Sequence, residues 1–192
     1  MDRLDLYADL LATWQARINL VSNSTLPDLW TRHFLDSAQL HALIPPGSRI
    51  VDFGSGAGFP GLVLAIMGGL TVTMIESDSR KCVFLREVVR HTETDAKVYN
   101  GRIESAPMQK CEFITGRALA SLDKLLALAE PYLPEKTQCL FLKGNKLKEE
   151  LTIANQSWNI VYETFPSCTD PSGSIVKIVS ADRKQRTETS HD

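Results

Sequence analysis

The residues best suited to chemistry lie in one stretch, Val51-Asp52-Phe53-Gly54-Ser55-Gly56-Ala57-Gly58-Phe59-Pro60-Gly61. Glycines at alternate positions let a backbone turn sharply and let a ligand touch the main chain. Glu76 follows 22 residues after Gly54, the spacing at which an acidic side chain on the next strand end accepts the hydroxyls of a ribose. Two cofactor classes share this arrangement. A dinucleotide loop follows G-x-G-x-x-G, and Phe59 stands where its third glycine belongs. Asp52, just before the loop, repels a pyrophosphate and suits an amine-bearing or cationic ligand. S-adenosylmethionine carries an amine, a sulfonium and no phosphate, so the loop reads as a methyl-donor site with Asp52, Gly54, Gly56, Gly58 and Glu76 as its binding residues. A strand-to-helix turn with no ligand is the bland alternative. It leaves the backbone entropy of three alternate glycines without a packing gain.

Other candidates follow later strands. Arg102-Ile103-Glu104 comes after the third strand, where an adenine edge rests in such a fold; the alternative is a surface loop. Arg117 follows the fourth strand and Lys143 the fifth, both at the rim above the presumed methyl group. Each has an ordinary reading too, a surface ion pair for Arg117 and a solvated turn for Lys143. His33 and Asp36 are three apart and share a helix face. They form either a polar lid over the strand ends or a pair that steadies the helix. Arg80, Lys81, Arg86 and Arg90 gather on one helical stretch, and Lys143, Lys146 and Lys148 after the fifth strand. These are phosphate contacts or solubility charge.

The elements that position these residues are legible as periodicities. Leu6, Leu10, Leu11, Trp14 and Ile18 give Leu4–Val21 a helical stripe. A second helix is predicted over Pro27–Ile44, with Ser24 or Thr25 as its cap and Pro45-Pro46-Gly47 as its stop. Strands are predicted at Arg49–Phe53, Leu70–Ile75, Ala96–Tyr99, Phe113-Ile114 and Gln138–Leu142. A closing strand pair follows at Trp158–Phe165 and Ile175–Val179. Helices are predicted at Gly61–Met67, Asp78–His91, Ser121 to about Pro131, and Lys146–Asn155. This alternation argues a doubly wound α/β sheet. The organisation expected is a helical cap over residues 1–47, a core over 48–180 and a flexible polar tail over 181–192.

Length and composition bound the rest. A chain of 192 residues fits one domain. A net charge of -2 excludes a strongly basic nucleic-acid coat but not a local basic face. Cys82, Cys111, Cys139 and Cys168 are at least 28 residues apart, so no CxxC metal or redox pair exists. The first ten residues carry three Asp and no apolar signal-peptide core, and no run reaches the ~18 apolar residues of a membrane span. A cytoplasmic, metal-free monomer is expected.

Several motifs in order carry a family resemblance: Asn19-Leu20-Val21-Ser22; His33-Phe34-Leu35-Asp36-Ser37; Asp52 to Gly61; Glu76-Ser77 with Arg80-Lys81; Arg102-Ile103-Glu104; Arg117-Ala118; and Leu142-Lys143-Gly144. Over roughly Leu4 to Val179 the chain resembles the ribosomal RNA small subunit methyltransferase G (GidB) family. The resemblance implies a Rossmann-like class I S-adenosylmethionine-dependent methyltransferase, α/β, with a mostly parallel seven-stranded sheet and an N-terminal helical cap. It implies methyl transfer to N7 of one guanine of 16S rRNA, in the 530 loop at a position of the 527 type. The partner is 16S rRNA or the small ribosomal subunit, in a bacterial cytoplasm. Gly54, Phe59, Ile103 and Glu104 would line the donor, and Arg117 would stand between donor and substrate. The chain departs from the family at its short start, at Trp14-Gln15, and at Asp170–Ser174, which lacks a basic residue. These departures bear on the grip on rRNA and not on the donor loop.

Guanine N7 holds an in-plane lone pair and loses no proton before attack. Catalysis should therefore be positioning of N7 in line with the methyl–sulfur bond, without a general base. Arg117, Lys143, His33 and Asp36 are the substrate-positioning candidates. Two other readings stay open: a small-molecule methyltransferase, and a noncatalytic ribosome-assembly binder. A nicotinamide enzyme is more distant, because Phe59 breaks the fingerprint.

Overall fold

A computed structural model describes residues 2–185 of the chain. Seven strands form one sheet in the order β3-β2-β1-β4-β5-β7-β6. β1 (Arg49–Phe53), β2 (Thr71–Glu76), β3 (Ala96–Asn100), β4 (Phe113–Arg117) and β5 (Gln138–Lys143) run parallel. β7 (Ser174–Arg183) inserts antiparallel between β5 and β6 (Trp158–Pro166). The near-continuous apolar texture of β1 follows from its place at the centre, covered on both faces. Alternate residues go to opposite faces. Ile50 joins one apolar cluster with Leu62, Phe84 and Tyr7, and Val51 and Phe53 join another with Leu122, Leu126 and Trp158.

The first cluster packs α1 (Arg3–Gln15), α3 (Gly61–Met67) and α4 (Ser79–His91) on one face. The second packs α5 (Leu122–Ala129) and α6 (Leu147–Ser157) on the other. α1 starts at Asp2, whose carboxylate accepts the Leu4 N–H, and α4 at Asp78, which accepts the N–H groups of Arg80 and Lys81. Both satisfy donors that a helix start leaves without partners.

Two expectations for the cap are corrected. α1 ends at Gln15, not at Val21. The Gln15 side chain turns back, its carbonyl accepting from the Leu20 and Val21 N–H groups and its amide donating to the Val21 carbonyl. The single helix expected over Pro27–Ile44 is four short pieces: 3-10 turns at Asn23–Asp28 and Gln39–Leu43, a π-type turn at Trp30–Leu35, and one α turn, α2, at Asp36–Ala38. Pro27 sits inside the first piece without an N–H to continue an α ladder. Ser24 and Thr25 do not cap: Thr25 Oγ1 bonds the Ser22 carbonyl, and Ser24 Oγ meets Ser22 Oγ.

At the other end, β7 runs on through Arg183 and buries Ala181. Residues 181–183 therefore belong to the sheet, because pairing with the long edge strand β6 carries past Val179. Residues 186–192, the rest of the expected tail, lie outside the described residues.

Candidate functional site: two clefts at the strand ends

The carboxyl ends of β1, β2 and β4 open onto a cleft of about 470 Å³, within the ~300–1,000 Å³ of small-molecule pockets. Gly54, Ser55, Gly56 and Phe59 form its floor, Glu76 and Ile103-Glu104 one side, and Arg117-Ala118-Leu119 the other. Gly54 has a φ of +61°, a conformation that L side chains rarely adopt, and a Cβ there would meet Leu119 Cδ1 at 2.6 Å. Glu76 is buried at the end of β2. One of its oxygens accepts the Gly56 N–H at 2.8 Å and the other the Asp78 N–H at 2.7 Å. Each oxygen keeps a lone pair for a ligand hydroxyl, so the backbone bonds fix the carboxylate without consuming it.

Beneath the loop the cap takes over. Tyr7 of α1 donates its hydroxyl to the Ala57 carbonyl and stacks on Phe59, with ring centroids 5.4 Å apart. A Cβ on Gly58 would meet that hydroxyl at 2.6 Å, which together with a φ of +101° explains a glycine there. Tyr7 was missed in the sequence. The signal was present: it lies one turn before Leu11 on the buried stripe, and a buried tyrosine hydroxyl needs a partner.

Two expected donor contacts are corrected here. Asp52 and Gly58 do not line the cleft. Asp52 points to the cap-side face, wholly buried against Gly61, whose Cβ would come 2.7 Å from its carboxylate. Its Oδ1 accepts from Thr115 Oγ1 at 2.7 Å and its Oδ2 has no hydrogen-bond partner. Burial pushes its pKa up, so Asp52 braces the loop from below rather than meeting a cation. Gly58 faces Tyr7 and Leu62. Gly54, Gly56, Phe59, Glu76, Ile103, Glu104 and Arg117 do line this cleft.

A second cleft, about 500 Å³, opens on the far side of Arg117-Ala118-Leu119. The partition is a strained turn in which Ala118 has a φ of +51°. Arg117 therefore faces both clefts. Its guanidinium lies 5.0 Å from the Phe59 ring centroid, donates to the Arg32 carbonyl at 3.0 Å and to Asp36 at 3.2 Å, and meets His33 Nδ1 at 2.7 Å. His33 and Asp36 thus meet through Arg117, not as a surface helix pair. His33 Nε2 lies 2.8 Å from Thr25 Oγ1. Burial, then Arg117 and Arg32, lower the His33 pKa to about 4. The ring is neutral at pH 7, with Nδ1 accepting from Arg117 and Nε2–H donating to Thr25.

Lys143 is corrected as an open rim cation. It lines the second cleft, but its Nζ donates to the Ala120 carbonyl at 2.8 Å and pairs with Glu150 at 2.6 Å, and its side chain is 7% exposed. Glu150 also accepts the Leu122 N–H at 2.8 Å, so this cluster ties β5, α5 and α6 together. Arg80 lines neither cleft and pairs with Asp78. Among the described residues no group of acids, His and Cys could hold a metal ion, and no helix is long and apolar enough to cross a membrane.

With this geometry in hand, comparison with known proteins is specific. The family model for GidB, rRNA small subunit methyltransferase G, matches residues 1–176. The protein of that name from Paramagnetospirillum magneticum is 55% identical over 184 residues, covering 95% of this chain and 90% of its own. The one from Gluconobacter oxydans is 51% identical, covering 92% of each. Among solved structures, an O-methyltransferase from Bacillus cereus superposes with a TM-score of 0.59 at 14% identity, covering 94% of this chain and 91% of that one. That likeness is one of fold, a class I methyltransferase sheet. On the family model and these identities, the chain belongs to the rRNA small subunit methyltransferase G family.

Proposed function

We propose that this protein transfers the methyl group of S-adenosylmethionine to N7 of one guanine of 16S rRNA, in the 530 loop at a position of the 527 type. The family supports an rRNA substrate and this donor. The cleft fits the donor on its own residues: a glycine floor whose Gly54 position a Cβ would fill, a fixed buried carboxylate in Glu76, and Ile103 as an apolar wall. Bound there, S-adenosylmethionine supplies an electrophilic methyl group on a sulfonium. Glu76 would accept the ribose hydroxyls, Ile103 and Glu104 would flank the adenine, and Phe59 and Arg117 would close the end next to the acceptor cleft.

The observation that carries the N7 reading is His33. It is the histidine of the acceptor cleft, both its ring nitrogens are engaged, and its pKa is held near 4. A group so arranged does not collect a proton at neutral pH. An aromatic nitrogen with a lone pair asks for none, and positioning alone then lowers the barrier. The major-groove edge that bears N7 is closed off in A-form RNA, so the target lies in a loop or an opened particle. The protein acts in the cytoplasm as a monomer. Incubation with labelled donor and undermethylated small subunits, deproteinised 16S rRNA or a small-molecule mixture tests the reading. Label recovered as 7-methylguanosine from rRNA supports it. Label confined to small molecules overturns it in favour of a small-molecule enzyme. No transfer despite bound donor overturns it in favour of an assembly binder.

A further inference from the structure

The acceptor cleft is charge-balanced in an unusual way. Three cations line it, Arg32, Arg117 and Lys143, and three carboxylates, Asp36, Glu150 and Asp170. Each cation is paired with one carboxylate: Arg32 with Asp170 at 3.1 Å, Arg117 with Asp36 at 3.2 Å, and Lys143 with Glu150 at 2.6 Å. A phosphate entering this cleft would have to displace a carboxylate from its partner. A neutral planar base would not, so the cleft is built for the base itself, and phosphates are left to the outer surface.

The three carboxylates differ in what they have left to offer. Asp36 is occupied at both oxygens, Oδ1 by Gln39 and Thr169 and Oδ2 by Arg117. Asp170 is likewise occupied, Oδ1 by the Ser172 N–H and hydroxyl and Oδ2 by Arg32. Glu150 concentrates its bonds on Oε2, which takes both the Lys143 ammonium and the Leu122 N–H. Its Oε1 accepts no hydrogen bond among the described residues, and the Glu150 side chain, which lines the cleft, is 21% exposed. Because Oε2 is fixed from two directions, Oε1 is a pre-positioned acceptor rather than a mobile one. Beside it, Lys143 Nζ has three N–H donors and uses two, on Ala120 and Glu150.

An acceptor held next to a spare donor matches the Watson–Crick edge of guanine, where N1–H and N2–H₂ donate and O6 accepts. We propose that Glu150 is a specificity-determining residue of the acceptor cleft: its Oε1 accepts from the N1–H and N2–H₂ groups of the target guanine while Lys143 donates to O6. Adenine would set its N1 lone pair against the carboxylate, a repulsive contact of the kind that creates discrimination. This inference rests on the guanine-N7 reading. N7 and the Watson–Crick edge lie on different sides of the ring, so a base gripped by the latter can present the former to the donor cleft across the Arg117–Leu119 partition.

The test uses small subunits reconstituted with 16S rRNA carrying guanosine, or inosine, at the methylated position. Inosine keeps N1–H, O6 and N7 and lacks only the 2-amino group. Wild-type kcat/KM should fall at least ~10-fold from guanosine to inosine, because the acceptor that would hold the 2-amino group loses that partner. Glu150→Gln keeps an oxygen for Lys143 and Leu122 but presents an amide to the base. It should lower kcat/KM on guanosine at least ~10-fold, leave donor affinity unchanged, and close most of the guanosine–inosine gap. Wild-type protein that methylates both substrates equally overturns the proposal, and that result needs no variant to fold. A Glu150→Gln protein that loses activity equally on both substrates also overturns it, showing that the residue only holds α5 and α6 together. Failure of the wild type to form 7-methylguanosine at all would instead strike the reading on which the proposal rests.

Discussion

Arg117 and His33, 84 residues apart in sequence, meet at 2.7 Å between a guanidinium nitrogen and Nδ1. The contact joins the end of a central strand to the cap, and it brings Arg117 over Phe59 of the donor loop. The two clefts therefore share a wall whose geometry the cap sets. A guanidinium suits this place because it can stack and donate in several directions at once, which an ammonium cannot. Arg117→Lys should retain the fold and donor binding but lower methyl transfer at least ~10-fold, and Arg117→Ala should lower it further. Arg117 and Asp36 are only 17% exposed each, so Arg117→Ala should also cost about 2 kcal/mol in urea unfolding, more than the ~0–1 kcal/mol of an exposed rim charge. Full activity in both variants would remove Arg117 from the acceptor wall.

His33 makes stability depend on pH. Its folded pKa of about 4 lies below the ordinary 6.5, chiefly through burial, so between those values the unfolded chain binds more protons than the folded one. The stability it contributes is fully present above pH 6.5 and is lost as pH falls from 6.5 towards 4. Between pH 7.5 and pH 5 the loss from this residue is about 2 kcal/mol. Urea unfolding of wild type and His33→Asn at the two pH values should show the wild type losing more by roughly that amount. Equal losses would contradict a neutral, buried His33.

Tyr7 supports the donor loop from a different chain segment. Tyr7→Phe keeps the stack on Phe59 but leaves the buried Ala57 carbonyl without its donor, which should cost about 1–3 kcal/mol. Calorimetric titration with S-adenosylmethionine should show weaker binding as well, because the loop above Gly58 loses its brace. An unchanged donor affinity would mean that the loop holds its shape alone.

Gly54 tests the donor cleft itself. Gly54→Val places a β-branched residue at a φ of +61° and drives its side chain into Leu119 on the cleft wall. Donor affinity should fall at least ~100-fold, with a stability loss of about 1–3 kcal/mol. Folded Gly54→Val protein that binds the donor normally would place the donor elsewhere.

The sequence made the sheet legible because its parallel strands are short apolar runs, each followed by a turn and a helical pattern. Gly54, Phe59, Glu76, Ile103 and Arg117 were legible as a group because each stands at a strand end or in the loop that follows one. The cap was less so. Periodicity reads helix wherever apolar residues recur, and it cannot distinguish one α-helix from consecutive 3-10, π and α turns around Pro27. Asp52 reads as a ligand contact and Lys143 as an open rim cation because charged residues at strand ends usually meet solvent or ligand. Which face of the sheet Asp52 takes, and that Glu150 seven residues on closes over Lys143, are facts of tertiary packing that spacing does not encode.

Cleavage chemistry gives the most direct test of what is transferred and where. A 7-methylated guanine, once reduced with borohydride, loses its base and lets aniline cut the RNA chain there. Small subunits lacking the modification should be incubated with this protein and S-adenosylmethionine, and their 16S rRNA then reduced, treated with aniline and mapped. The account predicts one new cut, within the 530 loop, that appears only when both protein and donor are present. Methyl incorporation into 16S rRNA with no new cut would contradict it, since the methyl group would then be on an atom other than guanine N7.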